Sequence, residues 1–200
     1  MQTYKHPNLN FSDPTDLLDS LRHFVSLQDK ADKTDPDVEE LIHHASMRDG
    51  HTLPVKVFRA VTTSTGATSK SSPLIVLFFG GGFVLGSPTS MADLSRSLVK
   101  QFNAVVVTPT YRLAPEHPFS VSVNDAWDNL SWIAENATRT LRTDPSAGFV
   151  VGGVSAGANL TNVITHLACD RGMDPPVTGN WLSVAGKYND GVIGLHWTRD

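Results

Sequence analysis

From Phe149 to Ala168 a strand-like apolar run breaks into Gly152-Gly153-Val154-Ser155-Ala156-Gly157 and resumes as an apolar helix pattern. No other stretch restricts the fold so strongly. Serine at the centre of G-x-S-x-G, between a strand and a helix, marks a nucleophile elbow. A serine at so tight a turn takes a strained backbone conformation, and only very small neighbours leave room for it. In Ala158 to Ala168, Leu160, Val163, Ile164 and Leu167 share one apolar face. The start of that helix turns free N–H groups and positive dipole toward charge forming at the hydroxyl.

A hydrolase built on this elbow places its acid and its histidine later in the chain, in the order Ser, Asp/Glu, His. Forty-five residues follow Ser155. The expectation is a truncated chain that lacks both partners.

Two hundred residues can bury a sizeable core, and 40% hydrophobic with 18% charged residues is ordinary globular composition. A net charge of −4 without a basic tract argues against nucleic acid as a partner. The N-terminus lacks an apolar signal core, and Pro73 to Leu85, broken by three glycines, is too short to span a bilayer. A cytoplasmic location without a membrane span is expected. The single cysteine, Cys169, excludes an internal disulfide and reads as a small packed side chain.

Residues 1–48 read as helical. Asp13-Pro14 opens one helix with Leu17, Leu18, Leu21, Phe24 and Val25 as its stripe. Asp35-Pro36 opens a second, with Val38, Leu41, Ile42 and Ala45 at helical spacing. Asp49-Gly50 is a turn signal, Leu53 to Ala60 alternates as a strand, and Thr62 to Ser72 is a loop. Leu74–Phe79, Ala104–Thr108 and Phe149–Val151 are buried strands. Between them lie helices with Met91, Leu94, Leu98 and Phe102 inward on the first and Trp127, Leu130 and Ala134 inward on the second. This alternation predicts an α/β fold whose sheet is mostly parallel, with right-handed crossovers.

Phe79-Gly80-Gly81-Gly82-Phe83 follows the first buried strand. Ser87-Pro88 occupies the place where a P-loop carries Lys-Ser/Thr, and Leu85 stands where a dinucleotide fingerprint needs its third glycine. Taken alone the glycines read as a flexible loop; with a downstream G-x-S-x-G on a neighbouring strand the favoured role is an oxyanion hole, where bare backbone lets N–H groups approach an ester oxygen. No metal or cofactor is expected.

A third marker, Tyr111-Arg112-Leu113-Ala114-Pro115-Glu116-His117-Pro118-Phe119, follows the second strand. Together with the glycine loop and Gly153-Val154-Ser155-Ala156-Gly157, it resembles the hormone-sensitive-lipase-like branch of the α/β-hydrolases. The opening Arg48-Asp49-Gly50 and the Asp144 to Leu160 stretch look like fungal members. The resemblance implies a partial α/β-hydrolase fold, with a mostly parallel sheet, helices on both faces and an N-terminal helical cap. Its divisions are a cap over 1–48, a core over 49–184 and an anomalous tail over 185–200. It implies Ser155 as the acylated nucleophile, with the N–H groups of Gly81, Gly82 and Ala156 as oxyanion donors. Arg112, Glu116 and His117 become scaffolding. The family usually has a histidine at the position of Phe79, where it braces the loop. His166 and His196 are not expected to replace the missing base.

The resemblance ends at Ala185. Gly186-Lys187-Tyr188 can be encoded GGT-AAG-TAC, which contains an intron start, so the tail reads either as translated intron or as a diverged C-terminus, and the codons decide between them. The implied function is a carboxylic ester hydrolase for a small-molecule ester of small to medium acyl length, impaired as this chain. The alternative is a non-catalytic pseudo-hydrolase that binds a small ligand, for which a plant hormone receptor on the same fold is precedent. A sheet ending at most one strand past the serine also leaves an unpaired edge, so the isolated chain is expected to be poorly soluble, partly molten or a homodimer through that edge.

Overall fold

The computed structural model describes residues 14–61 and 71–184. The tail over 185–200 and most of the 62–72 loop therefore lie outside the described residues. Helix α1 (Pro14–Ala31) precedes strands β1 (Val38–Ser46), β2 (Thr52–Ala60) and β3 (Leu74–Phe78). Helix α2 (Ala92–Phe102), β4 (Val105–Pro109), α3 (Val121–Asn136), β5 (Phe149–Val154), α4 (Ala156–Asp170) and β6 (Gly179–Ser183) follow. The strands form one sheet in the order β1-β2-β4-β3-β5-β6. The β4, β3, β5 and β6 strands run parallel, and β1 and β2 join antiparallel at one side. Helix α2 packs on β1, β2 and β4, while α3 and α4 pack on each other and cover β1, β3, β5 and β6.

The core runs through the centre of this sheet. Leu74, Val76, Phe78, Val106, Val107, Phe149 and Val151 are buried, as continuous apolar runs in a doubly covered parallel sheet require. Each strand expected in this region is present. Val177 to Val184, read as the next strand, contains β6, whose described neighbour is β5.

The second helix expected over Val38 to Ala45 is strand β1. It pairs with β2 from Val38 opposite Ala60 to Ser46 opposite Thr52. The Asp49-Gly50 turn closes the hairpin: Met47 N–H donates to His51 O at 2.7 Å, and Gly50 takes a φ of 85°. The helix-like spacing is a coincidence of an edge strand, where Val38 and Ala45 are buried and Ile42 is 65% exposed. A cap over 1–48 thus gives way to α1 followed by a strand of the sheet, and a division at residue 48 cuts through the hairpin.

Two expectations about packing need correction. Of the residues expected inward on the first helix, Met91 is buried and Leu98 packs on the core, but Leu94 and Phe102 are exposed, and on α2 Ala92, Ser95, Arg96 and Val99 are buried instead. A buried arginine caused the error, because Arg96 is held by Asp32 and Glu40 at 2.7 and 2.8 Å. Cys169, expected to be packed, is exposed near the end of α4.

Candidate active site

Ser155 stands between β5 and α4 with φ 53° and ψ −115°, outside the regions a serine ordinarily adopts. Three contacts fix this turn. Ser155 N–H donates to Ser183 O of β6 at 2.8 Å, and Ser155 O accepts from Asn159 N at 3.0 Å and Asn159 Nδ2 at 3.2 Å. The side chain is half-buried at the start of α4.

The flanking glycines are required by close approach of backbone to backbone. A Cβ on Gly157 would strike the carbonyl oxygens of Phe78 and Phe79, and one on Gly153 would stand 2.8 Å from Ala158 N. The ends of β3 and β5 therefore touch through main chain, with Phe78 opposite Gly153 in the ladder. This contact delivers the glycine loop to the serine. A Cβ on Gly80 would lie 3.4 Å from the Cβ of Ser155.

Beyond Gly80 the loop turns sharply. Val84 N–H and Leu85 N–H both donate to Gly81 O, at 3.1 and 3.0 Å. Gly81 has a φ of 127°, and a side chain there would run into Leu85 O. Among the described residues, no carbonyl accepts from the N–H groups of Gly81, Gly82 or Ala156. Free donors next to a helix N-terminus suit an anionic oxygen. The four residues singled out from sequence, Ser155, Ala156, Gly81 and Gly82, thus sit on two adjoining turns at the same end of the sheet.

The YRLAPEHPF segment props this end from below. Tyr111 is buried, donates its hydroxyl to Phe79 O at 2.9 Å and stacks on the Phe79 ring at 4.2 Å. Burial pushes the Tyr111 phenol far above its ordinary range, so it remains a hydrogen-bond donor. Phe79 occupies the position where a histidine was expected to brace the loop; here stacking and the carbonyl bond brace it. Arg112 grips the fully buried Asp125 through Nε at 2.9 Å and Nη2 at 2.6 Å, and also meets Asp49 at 2.7 Å. These bonds raise the Arg112 pKa further, Asp125 contributing most.

Glu116 pairs with Arg22 of α1 at 2.6 Å. Arg22's hydrogen bond holds the Glu116 carboxyl down to about 2. The scaffolding role expected for Arg112 and Glu116 fits these partners. Sequence reasoning missed Arg22, Asp125 and Gly80. Arg22 and Asp125 could not be found from pattern, since their partners are 94 and 13 residues away; Gly80 was visible as part of the glycine run.

No described histidine hydrogen-bonds Ser155 Oγ. His166 is exposed and bonds its own helix at Asn162 O, 2.7 Å away. His117 lies edge-on to His51, with ring centres 6.2 Å apart. His196 lies outside the described residues. Two clefts flank the turns. One of about 820 Å³ is lined by Val25, Asp29, Gly80, Gly81, Leu85 and Val154. The other, about 350 Å³ and mostly apolar, is lined by residues that include Phe83, Phe119, Val123, Leu160 and Val163. No cluster of His, Cys, Asp or Glu among the described residues could hold a metal ion.

Residues 75–192 match the α/β hydrolase fold family, whose extent includes the glycine loop, the 111–119 segment and the elbow. The chain belongs to that family. It is 36% identical over 137 residues to the AB hydrolase superfamily protein B1A11.02 of Schizosaccharomyces pombe, covering 68% of this chain and 39% of that protein. It is 41% identical over 105 residues to carboxylesterase NlhH of Mycobacterium tuberculosis, covering 52% and 32%. Among solved structures, a bacterial heroin esterase superposes with a TM-score of 0.75 at 26% identity, covering 90% of this chain and 54% of that one. The matched region is thus well under two thirds of each relative. Within this α/β-hydrolase, no described helix is long and apolar enough to cross a membrane.

Proposed function

We propose that the chain carries the nucleophile-bearing part of a serine carboxylic ester hydrolase acting on small to medium acyl esters. Ser155 Oγ attacks the ester carbonyl, and its proton passes to a base. The carbonyl oxygen becomes an oxyanion that accepts from Gly81, Gly82 and Ala156 N–H. Collapse of the intermediate expels the alcohol, which takes up a proton, and leaves an acyl group on Ser155. Attack by water then frees the acid and restores the hydroxyl. The observation that carries this reading is the positive φ of Ser155 at the head of α4, beside a loop whose glycine N–H groups lack acceptors.

The same reading makes the 200-residue chain a poor catalyst by itself. A triad lacking its histidine loses about 10⁶-fold in turnover, and no described imidazole hydrogen-bonds Ser155. Hydrolysis of short-chain nitrophenyl esters is therefore expected to be near background and insensitive to Ser155→Ala. Brisk turnover abolished by Ser155→Ala would instead mean that a base is already in place.

The second reading, a protein that binds a small apolar ligand without turnover, is favoured by the apolar cleft between Phe83 and Val163. Saturable binding of a nonhydrolysable ester analogue, with no acyl adduct on Ser155 under any condition, separates it from the first.

A further inference from the structure

We propose that Arg22 is a positioning residue for the glycine loop, through which helix α1 holds the backbone carrying Gly81 and Gly82. The inference rests on the oxyanion role proposed for those glycines. Arg22 uses its whole fork. Nε donates to Val84 O at 2.8 Å, Nη2 to Ala114 O at 2.7 Å, and Nη1 and Nη2 to the Glu116 carboxylate at 2.6 and 3.0 Å. A plain surface ion pair would need only the last two contacts. The first two are bonds to main chain of separate segments.

Their placement matters. Val84 N–H is committed to Gly81 O, and its carbonyl is committed to Arg22. Phe83 O, one residue earlier, accepts from Ala114 N at 2.8 Å, and Ala114 O in turn accepts from Arg22. Two successive peptides after Gly82 are thereby locked, so the turn that orients Gly81 and Gly82 has little freedom to rotate. Two helical turns along α1, Asp29 accepts from Ser87 Oγ at 2.6 Å, three residues further along the same segment than Val84. Helix α1 is thus tied twice to the segment that follows Gly82. Arginine suits the task because its planar donors satisfy two carbonyls and a carboxylate at once, which a lysine ammonium cannot reproduce.

The test uses the full chain with Arg22→Gln and Arg22→Lys, with Asp29→Ala as a variant that leaves the Arg22 contacts in place. Two readouts are compared: amide hydrogen exchange of residues 80–87, and the rate of Ser155 labelling by a fluorophosphonate with free imidazole as base. Arg22→Gln is expected to speed exchange across 80–87 and slow labelling roughly ten- to a hundred-fold. Exchange in β3, β4 and β5 should not change. Arg22→Lys should fall between, and Asp29→Ala should loosen the segment around Ser87 more than the Val84 and Leu85 amides that bond Gly81 O.

Unchanged loop exchange in Arg22→Gln overturns the proposal, as does exchange that rises equally throughout the sheet. If Arg22→Gln does not fold, Arg22→Lys, which keeps the charge but cannot serve all three acceptors at once, decides by the same exchange pattern. If the parent chain never labels at Ser155, the oxyanion reading fails, while the exchange arm still judges the clamp.

Discussion

The elbow and helix α1 meet at the same loop but are held by different physics. Around Ser155 the contacts are main chain on main chain, from Gly153 to the backbone of Gly157 and Ala158 and from Gly157 to the carbonyls of Phe78 and Phe79. Helix α1 and the residue that follows it are attached through charged side chains: Arg22 to Glu116, Asp29 to Ser87, and Asp32, just past the helix, to Arg96. Backbone packing of the first kind admits no added atom and ignores salt. Charged tethers of the second kind accept substitution but weaken with acid and ionic strength. The proposed nucleophile is therefore built into the rigid part of the molecule, and the glycine loop bridges the rigid and the adjustable.

The largest expected effect comes from adding one methyl group to the rigid part. In Gly157→Ala the new Cβ meets two backbone carbonyls, which no rotamer change can relieve. The cost should be about 4 kcal/mol or more, read as loss of a cooperative thermal transition. A variant that melts like the parent would show that the β3–β5 junction can yield.

Next in size is Asp125→Ala, which strands the Arg112 guanidinium in a site where Asp125 itself is fully buried. About 3 kcal/mol of destabilisation is expected in denaturant titration. A loss below about 1 kcal/mol would mean that Asp49, now at 2.7 Å from Arg112, takes over the pairing.

Acid separates the two regions more gently. Hydrogen bonds from Arg22, Arg96 and Lys100 hold the pKa values of Glu116, Asp32 and Asp35 below their ordinary values. Depressed carboxylate values contribute stability above the unfolded pKa and lose it as pH falls toward the folded one. Between an ordinary 4.5 and about 2 for Glu116, α1 should detach while the sheet persists. Exchange in residues 14–31 should rise before that in β5, and molar salt should mimic part of the effect. Simultaneous loss of both regions would contradict the distinction. The smallest effect belongs to the exposed Cys169. Cys169→Ser should shift stability by no more than about 0.5 kcal/mol in the same titration.

The rigid region was also the legible one. Strands β3, β4 and β5 are unbroken apolar runs, and the elbow's glycines announce themselves by spacing, because local geometry demands those residue types locally. Strand β1 was misread because Val38, Leu41, Ile42 and Ala45 satisfy a 3.6-residue period, while the pairing that makes them a strand lies in β2. Its Asp49-Gly50 turn was visible, but its role as a hairpin closure was not. On α2 the buried Arg96 reads as a surface residue until Asp32 and Glu40 are placed beside it. Arg22 is silent in sequence for the same reason: its meaning comes from Val84, Ala114 and Glu116, all distant in the chain.

The proposal that Ser155 is a nucleophile held beside oxyanion donors, with no described histidine as its base, can be tested directly. Fluorophosphonate labelling with peptide mapping, run with and without free imidazole, addresses it most directly. The account predicts a slow adduct at Ser155, absent from the other serines, that imidazole accelerates and Ser155→Ala removes. No adduct at Ser155 even with imidazole, or labelling spread evenly over exposed serines, would contradict it.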